Sequence, residues 1–357
     1  MLLVLALLLV ALAFEYINGF LDTANSIATV VATRVLTPRE AVLMSAVFNL
    51  VGALVGTAVA ATIGNSLVDN HYVTLPTLLC ALCSAVIWNL TVWRFGLPSS
   101  SSHALIGGLC GATVATAYSN FEVIRWSVID PVTHAHLGLW PKVLLPMMVA
   151  PIVGLTLGYV VMGFFLVTLK RWQPYHVNLL FGKSQLLSAA WMSFSHGTND
   201  AQKTMGVIAL ILCTATQAGT FAQLPPWLGF LQLPHFAVPI WVKVVCALTM
   251  AAGTAMGGMR IIKTVGSKIV RMRLIHGFAA QVTAAAVIQA ASHWGIPLST
   301  THIASTSIMG VGATQRLNAV KWSVVFHIVS AWVLTLPATM LLGYGLFRLI
   351  RALALVP

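Results

Sequence analysis

Charge is what this sequence has least of. Only 7% of its 357 residues are Asp, Glu, Lys or Arg, where soluble domains carry about 25%. Acids are scarcer still, at 7 against 19 basic residues and a net charge of +12. Polar stretches long enough to build a separate aqueous domain are missing, so soluble-enzyme classes fall away. With 59% hydrophobic residues, the chain reads as an all-α polytopic membrane protein. At about 20 apolar residues per crossing, its length allows roughly ten spans. Cysteine is sparse as well. Cys80 and Cys83 have redox-motif spacing but lie in LLCALCSAV with no second pair, and free cysteines in such runs behave as small hydrophobes. The opening run MLLVLALLLVALAF lacks the basic flank of a signal peptide and is read as a retained first span.

Ten apolar segments are predicted, roughly over residues 1–33, 41–63, 73–93, 99–119, 143–169, 185–212, 236–259, 274–294, 297–313 and 322–347. The first has the length of a broken helix or of a helix with a re-entrant piece. Segments 99–119 and 297–313 are short, open with Pro and hydroxyl residues, and leave the same choice open. With one crossing per segment, thirteen basic residues collect on one face, at Arg34, Arg39, Arg94, Lys170, Arg171, Lys183, Arg260, Lys263, Lys268, Arg271, Arg273, Arg316 and Lys321, against four on the other. The positive-inside rule then places residues 170–184 and the 260–273 loop in the cytoplasm and both chain ends outside. The +12 charge is therefore topology, not a footprint for nucleic acid, and the 260–273 cluster also suits anionic lipid heads.

Two local motifs occur twice, in the same order, one copy in each half. NGFLDTAN at 18–25 lines up with HGTNDAQK at 196–203, and GLPSSSSH at 96–103 with GIPLSTTH at 295–302. Five segments per half, an odd number, turn the halves opposite ways. This predicts two inverted repeats, 1–169 and 185–357, joined by a short cytoplasmic linker at 170–184, with broken or re-entrant helices at the midplane.

A carboxylate inside the hydrocarbon costs at least ~2.5 kcal/mol, so Asp22 and Asp200 need partners. Asp22, Asn25, Ser26 and Thr29 share one helical face. Such an all-oxygen face suits a small hard cation such as Na⁺, and the Asp is equally suited to take up a proton. Pro98 and Pro297 are expected at first helical positions. Ser99, Ser100, Ser101 and Ser102, and Ser299, Thr300 and Thr301, then bring hydroxyls and unbonded N–H groups to the positive end of a helix dipole. That is an anion site for a tetrahedral oxyanion, with Lys203 adding charge. His103 and His302 are candidates for donating to the anion or relaying protons. The other histidines show no metal spacing, and neither a metal site nor a cofactor is expected.

FEYINGFLDTANSIATVVATR, SFSHGTNDAQKTMG, GLPSSSSHALIGG and GIPLSTTHIASTS, in order and across both halves, resemble the signatures of the inorganic phosphate transporter (PiT) family. The resemblance implies a helical symporter of the inner cell membrane, a homodimer embedded in lipid, that takes up inorganic phosphate on an H⁺ or Na⁺ gradient by alternating access. It implies that Asp22, Asn25, Asn199, Asp200 and Gln202 line the substrate and coupling-ion region, with the hydroxyls after Pro98 and Pro297 on phosphate. Leu21 stands where many relatives have an amide before the acid. In this the chain resembles bacterial-type members, which are similar to H⁺ symporters and in some cases carry metal–phosphate complexes. Sulfate carriage is the nearest alternative. An anion channel or a membrane enzyme is a weaker one, because helix neighbours such as Ser102 and His103 point ~100° apart and do not make a nucleophile–base pair.

Overall fold

The computed structural model describes residues 1–130, 134, 136–257, 259–270 and 272–354; Arg271, assigned above to a basic loop, lies outside them. Helices α1 (Leu2–Ala32), α2 (Pro38–Ala53), α3 (Ala58–Asn65), α4 (Leu75–Arg94), α5 (Ser101–Thr116) and α6 (Leu145–Thr168) occupy the first half, α6 being led in by a π-turn at Trp140–Leu144. The second half holds α7 (Pro174–Gln217), α8 (Ile240–Met256), α9 (Met259–Lys263), a π-turn at Thr264–Lys268, α10 (Leu274–His293), α11 (Thr300–Ala313) and α12 (Trp322–Ala352). A small ribbon pairs Val128 with Leu137 and Ile129 with His136. One series thus occurs in each half: a long helix, a bent pair, a 20-residue helix, a short helix and another long helix.

Among the described residues, five helical units, α1, α4, α6 with its lead-in turn, α10 and α12, are long and apolar enough to cross a membrane, or seven if each bent pair counts as one. The chain is an integral, multi-pass membrane protein. The count is lower than ten segments for two reasons. Helices α5 and α11 have only 16 and 14 residues, and the 44-residue α7 is diluted by a buried polar stretch.

The breaks are not where the acids are. Helix α1 runs unbroken through Asp22 and α7 through Asp200. Helix α7 begins at Pro174, inside the stretch expected as linker, because proline fits a first helical turn. The chain bends instead by 72° between α2 and α3 and by 64° between α8 and α9.

The prolines of the second motif also sit differently from expectation. Helices α4 and α10 each close on a left-handed glycine, Gly96 at φ 67° and Gly295 at φ 63°. The following N–H reaches back five positions, Leu97 to Val92 O at 3.1 Å and Ile296 to Ala291 O at 2.9 Å, a Schellman closure. Pro98 and Pro297 fall in the extended link that follows, ahead of the short helices rather than at their first positions. Ser100 and Ser299 take the N-caps, accepting the N–H of His103 at 3.2 Å and of His302 at 3.3 Å. A hydroxyl satisfies an orphan N–H there and proline cannot.

The halves pack by exchange, through small residues that let backbones approach closely. A Cβ on Gly111 of α5 would stand 1.9 Å from Met340 O of α12, and one on Gly310 of α11 would stand 2.0 Å from Leu155 O of α6. Likewise Gly52 of α2 lies against Phe194 O of α7, and Gly253 of α8 against Tyr16 O of α1, both at 2.1 Å from an added Cβ. Each contact has a counterpart with the halves' roles interchanged. Gly111→Ala and Gly310→Ala are each expected to destabilise the protein by about 1–3 kcal/mol through overpacking. Gly163→Ala, whose Cβ would meet nothing within 4 Å, should stabilise helix α6 slightly. Thermal unfolding in detergent separates the two outcomes.

Candidate functional site

A polar group buried in this fold needs a partner or a function. On α1, Glu15, Asn18, Asp22, Asn25 and Thr29 rise along one buried face, and on α7 His196, Asn199, Asp200 and Lys203 are buried too. The first turns of α5 and α11 meet these two faces with their hydroxyls.

Asp22 is held from both halves. Its Oδ2 accepts from Ser101 Oγ at 2.9 Å, and its Oδ1 accepts from Thr301 Oγ1 and from Asn25 Nδ2, each at 3.1 Å. Asp200 accepts from Lys203 Nζ at 2.6 Å and from Thr300 Oγ1 at 3.2 Å. Asn25 Nδ2 ties the two carboxylates together through Thr301 Oγ1 at 2.9 Å and Thr300 Oγ1 at 3.4 Å. On the far side of Asp200, His196 Nε2 lies 3.2 Å from Oδ2, a separation that calls for a proton or a cation between the two atoms. The other ring nitrogen meets Asn49 Oδ1 at 3.1 Å, and Asn49 Nδ2 donates to Thr254 Oγ1 at 3.0 Å. Asp22, His196 and Asp200 each present a ligand atom within 4.8 Å of the others, so these three could hold a cation.

Of the residues singled out in the sequence, Asp22, Asn25, Asp200, Lys203, Ser101, Thr300 and Thr301 come together in this cluster. Ser99 lines a narrow cleft beside Asp22, Ser101 and Asn89 with a volume of about 10 Å³, space for about one water. Others are engaged elsewhere. Ser102 donates to Leu298 O at 3.3 Å, Ser26 is bonded to Ser45 at 2.9 Å, and Asn199 Nδ2 donates to Ser292 Oγ at 2.9 Å. Gln202 Oε1 accepts the N–H of Val59 at 2.9 Å and of Ala60 at 3.4 Å, capping the start of α3. His103 and His302 face each other with ring centroids 5.0 Å apart, and His302 lies 4.0 Å from the Trp332 ring; among the described residues neither is bonded to a carboxylate. Sequence reasoning gave no role to His196, Asn49, Thr254 or Glu15. For His196 the signal was its i, i+4 placement before Asp200, which puts both on one helix face.

A profile of the phosphate transporter family matches residues 18–343. A Bacillus subtilis protein named a probable low-affinity inorganic phosphate transporter is 40% identical over 346 residues, covering 96% of each chain. A Rhizobium meliloti protein of the same name is 41% identical over 342 residues, covering 96% of this chain and 94% of that one. The fold matches a solved structure described as the sodium-dependent phosphate transporter, with a TM-score of 0.83 and 21% identity over 99% of this chain and 100% of the other. These relatives carry transporter names, not enzyme names. With a family profile spanning nearly the whole chain, and relatives of matching length around two-fifths identical, the chain belongs to the phosphate transporter family.

Proposed function

We propose that this chain is a symporter that takes up inorganic phosphate with a coupling cation, H⁺ in preference to Na⁺, by alternating access of two inverted repeats. The repeats are 1–169 and 185–357, with 170–184 between them on the cytoplasmic side, and the protein works as a homodimer in the inner membrane. The reciprocal glycine contacts and the element series common to both halves support the repeats.

One observation carries the mechanism. The donors that would suit a tetrahedral oxyanion, Ser101, Thr300 and Thr301, are held by Asp22 and Asp200. A phosphate competes with the carboxylates for these hydroxyls and is repelled by their charge. A proton or cation on the carboxylates frees the donors and removes the repulsion together, so cation and phosphate each raise the other's affinity. A hydrogen bond to a charged acceptor contributes about 1.5–3 kcal/mol, so moving two of them from carboxylate to phosphate is enough to make binding depend strongly on the cation. Lys203 and Ser99 stand beside the phosphate, Ser100, Ser102 and Ser299 shape the first turns that carry its donors, Asn25 serves the coupling ion through Asp22, and Ser26, Asn199 and Gln202 hold the surrounding helices. A second reading follows from the Asp22, His196 and Asp200 donor set: a divalent metal rides with phosphate as a complex.

Uptake of labelled phosphate and sulfate into proteoliposomes, with pH and Na⁺ gradients imposed independently, tests this. Concentrative phosphate uptake under a pH gradient is the expected result. Sulfate competing at equal potency would overturn the choice of substrate, and current without gradient coupling would overturn symport. Stimulation by Mg²⁺ or Zn²⁺ would favour the metal complex.

A further inference from the structure

Glu15 is a third buried carboxylate that the phosphate site does not use. Its side chain is fully buried on α1, two turns before Asp22. Among the described residues Asp22 accepts three hydrogen bonds, whereas Glu15 accepts one, from Thr204 Oγ1 of α7 to Oε2. Among those residues its Oε1 accepts none, and both polar atoms of the Asn18 amide, one turn along the same face, are buried without a hydrogen-bond partner as well.

Packing does not call for an acid here. The register that aligns Asn18 with His196 and Gly19 with Gly197 places Ser193 opposite Glu15. Ser193 is equally buried and donates to Ala189 O at 2.8 Å. The flanking Tyr16 and Phe194 make matching close contacts with glycines of the other half. The same helix packing is therefore achieved without a carboxylate in the other half.

Charge reasoning points the same way. The titratable groups that face Glu15 are Asp200 and Lys203 on α7 and Cys246 on α8, with Asp22 further along α1. Lys203 is committed to Asp200 at 2.6 Å. Even with His196 charged, Lys203 and His196 balance only Asp22 and Asp200, which leaves Glu15 without a countercharge. An ionised group in that position is costly. A proton on Oε1 would remove the charge and give Asn18 Oδ1 a donor; when the proton leaves, the Asn18 amide has N–H groups to offer the carboxylate.

We propose that Glu15, with Asn18 and Thr204, is the relay through which the coupling proton passes between the membrane face and the Asp22–Asp200 pair, loaded on one side of the membrane and emptied to the other. This rests on the reading of the chain as a proton-coupled phosphate carrier.

The test uses the full chain in proteoliposomes. Accumulation of labelled phosphate under an inward proton gradient is divided by phosphate counterflow measured without a gradient. One pH unit across the membrane can sustain roughly tenfold accumulation per proton; in Glu15→Gln that factor is expected to fall to about one, with loss of the phosphate-coupled acidification read by a trapped pH dye. Thr204→Val removes a donor to the charged carboxylate, so the protonated form gains and the pH dependence of uptake shifts to more alkaline pH. Glu15→Asp restores a pH dependence that Glu15→Gln lacks. A wild-type accumulation ratio in Glu15→Gln, or an unmoved pH profile in Thr204→Val, overturns the proposal. A Glu15→Gln protein that loses its response to Na⁺ rather than to pH also overturns it, in favour of a Na⁺ site. Should Glu15→Gln fail to reconstitute, the Thr204→Val profile decides. Absence of phosphate counterflow in the wild-type chain would instead overturn the phosphate reading itself.

Discussion

Asp22→Asn is expected to abolish gradient-driven phosphate uptake, and Asp200→Asn to do the same. Asparagine keeps the shape of the side chain, so the helices can still close around it, but it neither takes up a proton nor holds a cation by charge. The hydroxyls of Ser101, Thr300 and Thr301 now lie within 2.9–3.2 Å of a carboxylate oxygen, and the cycle depends on releasing and recapturing them. Two hydrogen bonds to a charge, at about 1.5–3 kcal/mol each, correspond to roughly two to four decades in an equilibrium constant. Initial rates of labelled phosphate uptake should therefore fall by at least about a hundredfold in either variant. Undiminished uptake in both would remove these acids from the mechanism.

The second large effect is on stability. Lys203 and Asp200 have no exposed side-chain surface and meet at 2.6 Å. Lys203→Met leaves the lysine stem's packing roughly intact and strands a carboxylate whose remaining polar partners among the described residues are Thr300 and His196. Removing one partner of such a buried pair costs about 3–5 kcal/mol. In the double variant Lys203→Met/Asp200→Asn no charge is stranded, so most of that stability should return, while transport stays lost. Thermal unfolding of the four proteins in detergent forms a double-mutant cycle. A single variant no less stable than the double would show that Asp200 does not depend on this lysine.

Much of the fold was legible because lipid and water impose a simple code. The ends of α4, α10 and α12 fall close to the boundaries of apolar runs. The bend between α2 and α3 was not legible: residues 41–63 read as one largely apolar run, and hydropathy does not register the left-handed turn at Gly56. Helix α7 was underestimated for the opposite reason. Its start is polar enough to resemble a linker, although Pro174 at its first turn was a visible signal.

At the site, the duplicated motifs gave the carboxylates and the hydroxyls of the short helices without any coordinates. What they could not give is direction. Ser100 and Ser102 lie beside Ser101 in one run of serines, yet one caps a backbone N–H, one donates to Leu298 O, and only Ser101 reaches Asp22. That sorting depends on the helical rotation of about 100° per residue and on where the N-cap falls. Gln202 and Asn199 were equally visible and equally ambiguous, because an amide serves a scaffold as readily as a ligand. Glu15 could have been flagged from composition alone, as one of seven acids, standing in the middle of an apolar run.

The crosswise seating of α5 on α12 and of α11 on α6 has a consequence for biosynthesis. Helix α5 is completed early in translation, but the groove it needs belongs to the last helix made. The nascent amino-terminal portion must wait in the bilayer with the Gly107 and Gly111 face of α5 uncovered until the ribosome has nearly finished. Maturation is therefore a late, concerted closure of the entire polypeptide, and a truncated message would yield fragments for quality control instead of a working half-carrier.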